Sequence, residues 1–292
     1  MKILVTGSAG FIGGHIRNAY RAMGHEVVGV DLRETEPRDI NDEAAMAALF
    51  AKEKPDIVNH HAGVIEVVKS IEDPEPTFRT NVMGTVNVLR AAGKAGTVKQ
   101  FIFPSSYTVY GDPDLLPADE RTPLRPISPY GLSKLMAEEA IRFYGKLYGF
   151  RHTIFRYGNI YGPGQDGTGN VGIVAIFAEK MRRGERPTIF GDGKKTRDYV
   201  HIDDIVRLNM AALGKDTDMT LCAGSARMIT DHEAFGEIAR HAKYEDLPAY
   251  APHRAGEVRQ IMLANMDAKK VLGWQPEVAF EEGVRRYIQG EA

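Results

Sequence analysis

The stretch Lys2-Ile3-Leu4-Val5-Thr6-Gly7-Ser8-Ala9-Gly10-Phe11-Ile12-Gly13 decides the fold. An aliphatic strand runs into a loop with glycines at 7, 10 and 13, and a helical pattern follows. Glycines so spaced let the backbone turn sharply, approach a pyrophosphate closely and seat the helix against the sheet. The amides of Phe11, Ile12 and Gly13 then open a helix N-terminus toward the phosphates. Asp31 closes the second strand, 18 residues beyond Gly13. A carboxylate there accepts the hydroxyls of an adenosine ribose and repels a 2′-phosphate, which favours NAD over NADP; Arg33 nearby keeps NADP open.

Outward from this loop, short β-branched runs alternate with helical stretches. Strands are expected at 3–5, 27–30, 56–58, 101–103 and 153–155, and helices over 43–52 and 85–95. The alternation predicts an α/β fold, a Rossmann-type doubly wound parallel sheet. After Arg156, glycine- and proline-rich loops such as Tyr161-Gly162-Pro163-Gly164 break the rhythm. A smaller mixed α/β substrate-binding lobe is therefore expected over 159–292, interleaved with a nucleotide-binding domain over 1–158 that also receives a segment near 198–215.

Thirty-seven Lys+Arg against 39 Asp+Glu give a net charge of −2, which argues against nucleic acid or a membrane surface as partner. No apolar run reaches the ~18 residues of a membrane helix, no signal-peptide pattern opens the chain, and the lone Cys222 cannot form an internal disulfide. The reading is a cytoplasmic protein. His60 and His61 are adjacent on a strand and point to opposite faces, so no metal site is expected.

A second motif is Pro129-Tyr130-Gly131-Leu132-Ser133-Lys134. Proline followed by good helix formers marks a helix start, so Tyr130 and Lys134, at i and i+4, share one face. An ammonium near a phenol stabilises phenolate and makes a base usable near neutral pH. Alone, Tyr-x-x-x-Lys is commonly a surface pair. It gains weight from the glycine loop and from Ser105-Ser106 at the carboxyl end of the 101–103 strand, where open α/β sheets bind ligands. A hydroxyl there can bond a substrate oxygen and relay its proton to Tyr130.

Together these residues resemble the extended short-chain dehydrogenases/reductases, in particular the NAD-dependent sugar-nucleotide epimerase/dehydratase branch. Further blocks carry the resemblance in order: Asp39-Ile40, His60-His61-Ala62-Gly63, Asn81-Val82-Met83-Gly84-Thr85, Ser105-Ser106-Tyr107-Thr108-Val109-Tyr110-Gly111, Arg156-Tyr157-Gly158-Asn159, Arg197-Asp198-Tyr199 and Arg254-Ala255-Gly256-Glu257. The resemblance implies that Asp39 and Ile40 flank the adenine, that Ala62, Gly63, Asn81, Ser105 and Tyr157 line the cofactor groove, and that Ser106, Tyr130 and Lys134 are catalytic. It also implies that Asn159, Thr188, Phe190, Arg197, Arg254 and Glu257, with Ser106, hold the nucleotide sugar, and that the protein is a homodimer.

Within the branch, 4,6-dehydratases carry Asp-Glu after the catalytic hydroxyl and decarboxylases a glutamate; here Tyr107-Thr108 follows. The form looks like UDP-glucose 4-epimerases, which need only NAD and a UDP-hexose. Departures are a short Asp31–Asp39 region, Ile65 where some 4-epimerases have lysine, and Gly164 where arginine is frequent. A reductase with net turnover of NAD(P)H and a nicotinamide-sensing binding protein stand as alternatives, the latter with little need for the Ser/Tyr/Lys set.

Overall fold

The computed structural model describes residues 1–169 and 172–291. The five expected strands form as β1 (Lys2–Thr6), β2 (Glu26–Val30), β3 (Ile57–His60), β4 (Gln100–Ser106) and β5 (Arg151–Tyr157). They lie in one parallel sheet with Met219–Ala223, in the order Met219–Ala223, β5, β4, β3, β1, β2. The chain leaves β1 outward to β2 and then crosses back to β3, so the topological switch point lies between β1 and β3, where the glycine loop emerges.

Alternation along each strand sends side chains to two cores. Leu4, Val58, Phe101, Phe103 and Ile154 pack under the helices Glu43–Glu53, Thr85–Ala95 and Pro129–Tyr148. Ile3, Val5, Ile102 and Phe155 face the other way, toward the helices Phe11–Ala22 and Ile202–Ala212. Burial on both faces is why these strands read as continuous apolar runs. Met219–Ala223, from the stretch expected to belong to the second lobe, pairs with β5.

Between Val30 and Glu43 the chain forms only turns, so β2 is the sheet edge, as the short Asp31–Asp39 region implies. A separate core gathers Tyr161, Phe177, Ile189, Tyr199, Ile238 and Phe280 beyond the carboxyl ends of the strands. No described helix is long and apolar enough to cross a membrane.

His60 closes β3 and is wholly buried, its two ring nitrogens bonded to Thr6 Oγ1 at 2.7 Å and Thr85 Oγ1 at 2.9 Å. Burial, and then the Lys134 charge, pushes both His60 and His61 down to about 3, so both are neutral in the fold. Unfolded histidine titrates near ~6.5, so below that pH the unfolded chain binds protons that the fold refuses. Stability should therefore fall with decreasing pH by about 1.4 kcal/mol per unit for each histidine. Urea unfolding at pH 7.5, 6 and 5 checks this: His61→Leu should reduce the slope by about that one-histidine amount, and an unchanged slope contradicts it.

Candidate active site

The glycine loop is compact because its glycines leave no room for more. Gly7 adopts φ +67°, and a Cβ there would stand 2.6 Å from the His61 carbonyl carbon. A Cβ on Gly13 would stand 2.2 Å from the Gly7 carbonyl oxygen. The helix Phe11–Ala22 starts at Gly10 with no side-chain cap, so its first amides are available to an anion. Asp31 sits beside them: its carboxylate accepts the Ala9 amide at 3.2 Å and the Arg33 amide at 3.0 Å. Burial opposes its charge, but the bonds from Arg33 and Ala9 prevail and hold the carboxyl below its ordinary value. A cradle that any Cβ would fill, uncapped amides and an ionised carboxylate at the strand end fit a dinucleotide.

The helix Pro129–Tyr148 opens with a Ser128 cap, whose hydroxyl accepts the Gly131 amide at 3.1 Å, and with proline at its first position. A Cβ on Gly131 would lie 2.6 Å from the Thr108 carbonyl oxygen, so the helix start rides directly on the turn that follows Ser106. That contact brings Tyr130 beside Ser106, whose hydroxyl favours the ionised phenol. One turn on, Lys134 Nζ donates to the Pro104 carbonyl at 2.9 Å and lies 6.0 Å from the Tyr130 ring centre.

The phenol differs from the sequence-based expectation. Burial raises Tyr130 well above an ordinary tyrosine, and only the nearby Ser106 hydroxyl works the other way. Lys134 spends its contact on a backbone carbonyl, and burial pushes it down to about 8, with Glu138 opposing. At rest the pair is a neutral phenol beside an ammonium.

Beside this centre lies a cleft of about 360 Å³. Tyr107 and Thr108, next after Ser106, line its inner end, and Asn159, Thr188, Phe190, Arg197, Arg254 and Glu257 all line it as well. Arg254 stacks 4.0 Å from the Phe190 ring centre and reaches Glu257 at 2.6 Å. Burial opposes the Glu257 charge, but Lys195 at 2.7 Å, with Arg254, holds the carboxyl below its usual range. Asn159 Oδ1 is buried without a partner.

Residues 3–221 match the NAD dependent epimerase/dehydratase family. The chain belongs to this family. It is 36% identical to a UDP-glucose 4-epimerase of Mycolicibacterium smegmatis over 99% of this chain and 98% of that protein. Among solved structures, the UDP-glucose 4-epimerase of Thermotoga maritima with UDP-glucose superposes with a TM-score of 0.95 at 38% identity. That of Thermus thermophilus in complex with NAD gives 0.92 at 34%; each match covers 99% of this chain and 98% of the other.

As a family member the chain departs in detail from what its motifs imply. Tyr157 is corrected out of the groove: its side chain lies in the core under the sheet, where its hydroxyl accepts Asn209 Nδ2 at 2.7 Å. Ser105 alternates with Ser106 and turns its hydroxyl to the buried Glu138 at 2.5 Å. Asn81 clamps the segment after Gly63, accepting the Val64 amide and donating to the Val64 carbonyl and to Ser133. Ile40 packs in the core, and Asp39 accepts from Asn41. Ala62 donates its amide to Thr6 Oγ1 at 3.0 Å.

Lys195 and Tyr107 are among the cleft residues that the sequence reading did not assign. Lys195 joins Glu257 and Asp231, and Tyr107 figured there only as the absence of an acid. Adjacency to Arg197 and Ser106 was the available signal for each. Among the described residues no three His, Cys, Asp or Glu gather as metal ligands.

The loop's tightness sets a test. Gly13→Ala should weaken NAD binding by at least about tenfold in a calorimetric titration while the far-ultraviolet spectrum stays native, since one methyl has no space beneath the turn. Unchanged affinity would show that the loop does not bear the pyrophosphate.

Proposed function

We propose that the protein interconverts the C4 epimers of a UDP-hexose such as UDP-glucose and UDP-galactose, using NAD bound along the glycine loop. The observation that carries this reading is the adjacency of two parts. Ser106, Tyr130 and Lys134 gather at the end of β4, and the residues next after Ser106, Tyr107 and Thr108, line a cleft that Arg197 and Arg254 also line. The amides after Gly10 and the Asp31 carboxylate would hold the pyrophosphate and the adenosine ribose.

Bound NAD supplies a hydride acceptor and donor beside the sugar C4. Tyr130 takes the 4-hydroxyl proton, directly or through the Ser106 hydroxyl, and gives it back when the hydride returns on the other face. The resting phenol is held protonated by burial, so it needs the charge of the loaded site and of Lys134 to act as a base. Lys134, fixed on the Pro104 carbonyl, supplies that charge and donors for the nicotinamide ribose. No carboxylate follows Ser106, so the site lacks an acid to expel a sugar hydroxyl.

Arginine forks suit two phosphates in a partly enclosed cleft, and Glu257 accepts ribose hydroxyls from its place between Lys195 and Arg254. The turns that replace a strand beyond β2 favour one alternative, a reductase that exchanges NAD(P)H with solvent.

We also propose a homodimer. Leu132, Met136, Phe143 and Leu147 recur on one stripe of the helix Pro129–Tyr148 and are exposed, with Met83 close in sequence to the Thr85–Ala95 helix that packs beside it. An apolar stripe of this kind marks an interaction surface. The lone buried thiol of Cys222 suits the reducing cytoplasm.

Incubation with UDP-galactose and catalytic NAD should yield UDP-glucose with no net NADH; stoichiometric consumption of NADH would establish the reductase instead. Tyr130→Phe should lower turnover by about 10³-fold with NAD affinity retained, and near-normal turnover would refute its role as base.

A further inference from the structure

The two arginines of the cleft are treated differently. Arg254 is ion-paired to Glu257 at 2.6 Å. Arg197 is the more deeply buried, yet it makes no ion pair among the described residues, and its guanidinium donates to the neighbouring Thr196 carbonyl at 2.8 Å. A buried guanidinium left without partners is costly, so something must satisfy it when no anion is bound. The groups that face it are the phenols of Tyr107 and Tyr199, with Asp231 and Glu257 farther off and already engaged by Lys195. The Arg197 guanidinium carbon lies 5.7 Å from the Tyr107 ring centre, within reach of a cation–π contact with that ring.

Tyr107 follows Ser106 directly, in the short turn Tyr107–Val109 on which the start of the Tyr130 helix rests. Its side chain lines the cleft between the catalytic hydroxyls and Arg197. That is the stretch a sugar must occupy if its diphosphate reaches Arg197 and its C4 reaches Tyr130.

We propose that Tyr107 is a positioning residue. It holds the Arg197 guanidinium against a neutral ring and so keeps the positive charge free for the diphosphate, in register with Ser106. A carboxylate in its place would cancel that charge. An aliphatic side chain would leave the guanidinium free to turn toward Asp231. The role rests on the nucleotide-sugar reading above, but it concerns binding of the nucleoside diphosphate and not the hydride step.

UDP alone is therefore the probe, titrated calorimetrically into the NAD-loaded protein. Tyr107→Leu removes the ring; it should weaken UDP binding by about fivefold, the scale of one cation–π contact. KM for UDP-galactose should rise by the same factor, with kcat within about twofold and the unfolding midpoint unchanged. Because Tyr107 acts through Arg197, the same substitution in an Arg197→Ala background should change UDP binding by less than about twofold.

Equal UDP affinity in wild type and Tyr107→Leu overturns the proposal and leaves the epimerase reading standing. A fall in kcat with UDP affinity unchanged also overturns it, by placing Tyr107 in the chemical step. If wild type binds UDP but does not epimerise UDP-galactose, the epimerase reading fails and the Tyr107 comparison still decides this one. If wild type does not bind UDP, both fall.

Discussion

The site depends on a buried seam between the helix Pro129–Tyr148 and the end of β4. Lys134 donates to the Pro104 carbonyl, and one turn later Glu138, wholly buried, accepts the Ser105 hydroxyl. Glu138 also takes a two-point fork from Arg156 on the neighbouring strand, at 3.0 and 2.8 Å. Burial opposes a charged Glu138, and the Arg156 fork outweighs it, so the carboxyl stays ionised. Removing one partner of such a pair leaves a bare charge in the interior, which costs several kcal/mol, roughly 3–5. The seam therefore fixes helix to sheet, and Ser106 and Tyr130 meet as a consequence. Alternation along β4 divides the labour: Ser105 faces the seam and Ser106 faces the site.

The same low-dielectric surroundings tune the charges. Burial raises Tyr130 and lowers Lys134; the Ser106 hydroxyl and the Glu138 carboxylate each push back. The resting centre is thus a protonated phenol next to a cation whose charge is lost near pH 8. Such a pair gains reactivity only when further positive charge and a substrate hydroxyl arrive together, which limits proton transfer to the loaded site. At the far end of the cleft, Arg254 is neutralised by a carboxylate while Arg197 is cushioned by a phenol. The net positive charge that a diphosphate would meet is concentrated deep in the cleft.

Much of this was legible in the sequence because it is local. The glycine loop, Asp31 at a strand end and Tyr130 one helical turn before Lys134 each announce themselves within a few residues. All six second-lobe residues from Asn159 to Glu257 reached one cleft, although only the resemblance, and no spacing rule, brought them together. What failed depends on partners far along the chain. Met219–Ala223 is an edge strand whose neighbour β5 ends 62 residues earlier, so no βαβ rhythm marks it. Tyr157 sits in a block that reads as part of the site, but strand alternation turns its ring to the Asn209 side. Lys195 acquires its meaning only from Glu257, 62 residues away. The resting state of the phenol was not legible, because helical spacing gives proximity to Lys134 but says nothing of what the ammonium bonds or how dry the pocket is.

On the proposed reading, a hydride leaves C4 and a proton leaves its 4-hydroxyl oxygen, and each returns to the atom it left, inside a single centre built on the β4 seam. UDP-galactose labelled with deuterium at C4, incubated with the protein in ordinary water and followed by mass spectrometry and proton NMR, tests it most directly. The account predicts UDP-glucose that retains the full label at C4. Label lost to water, or found on NADH released into solution, would contradict it.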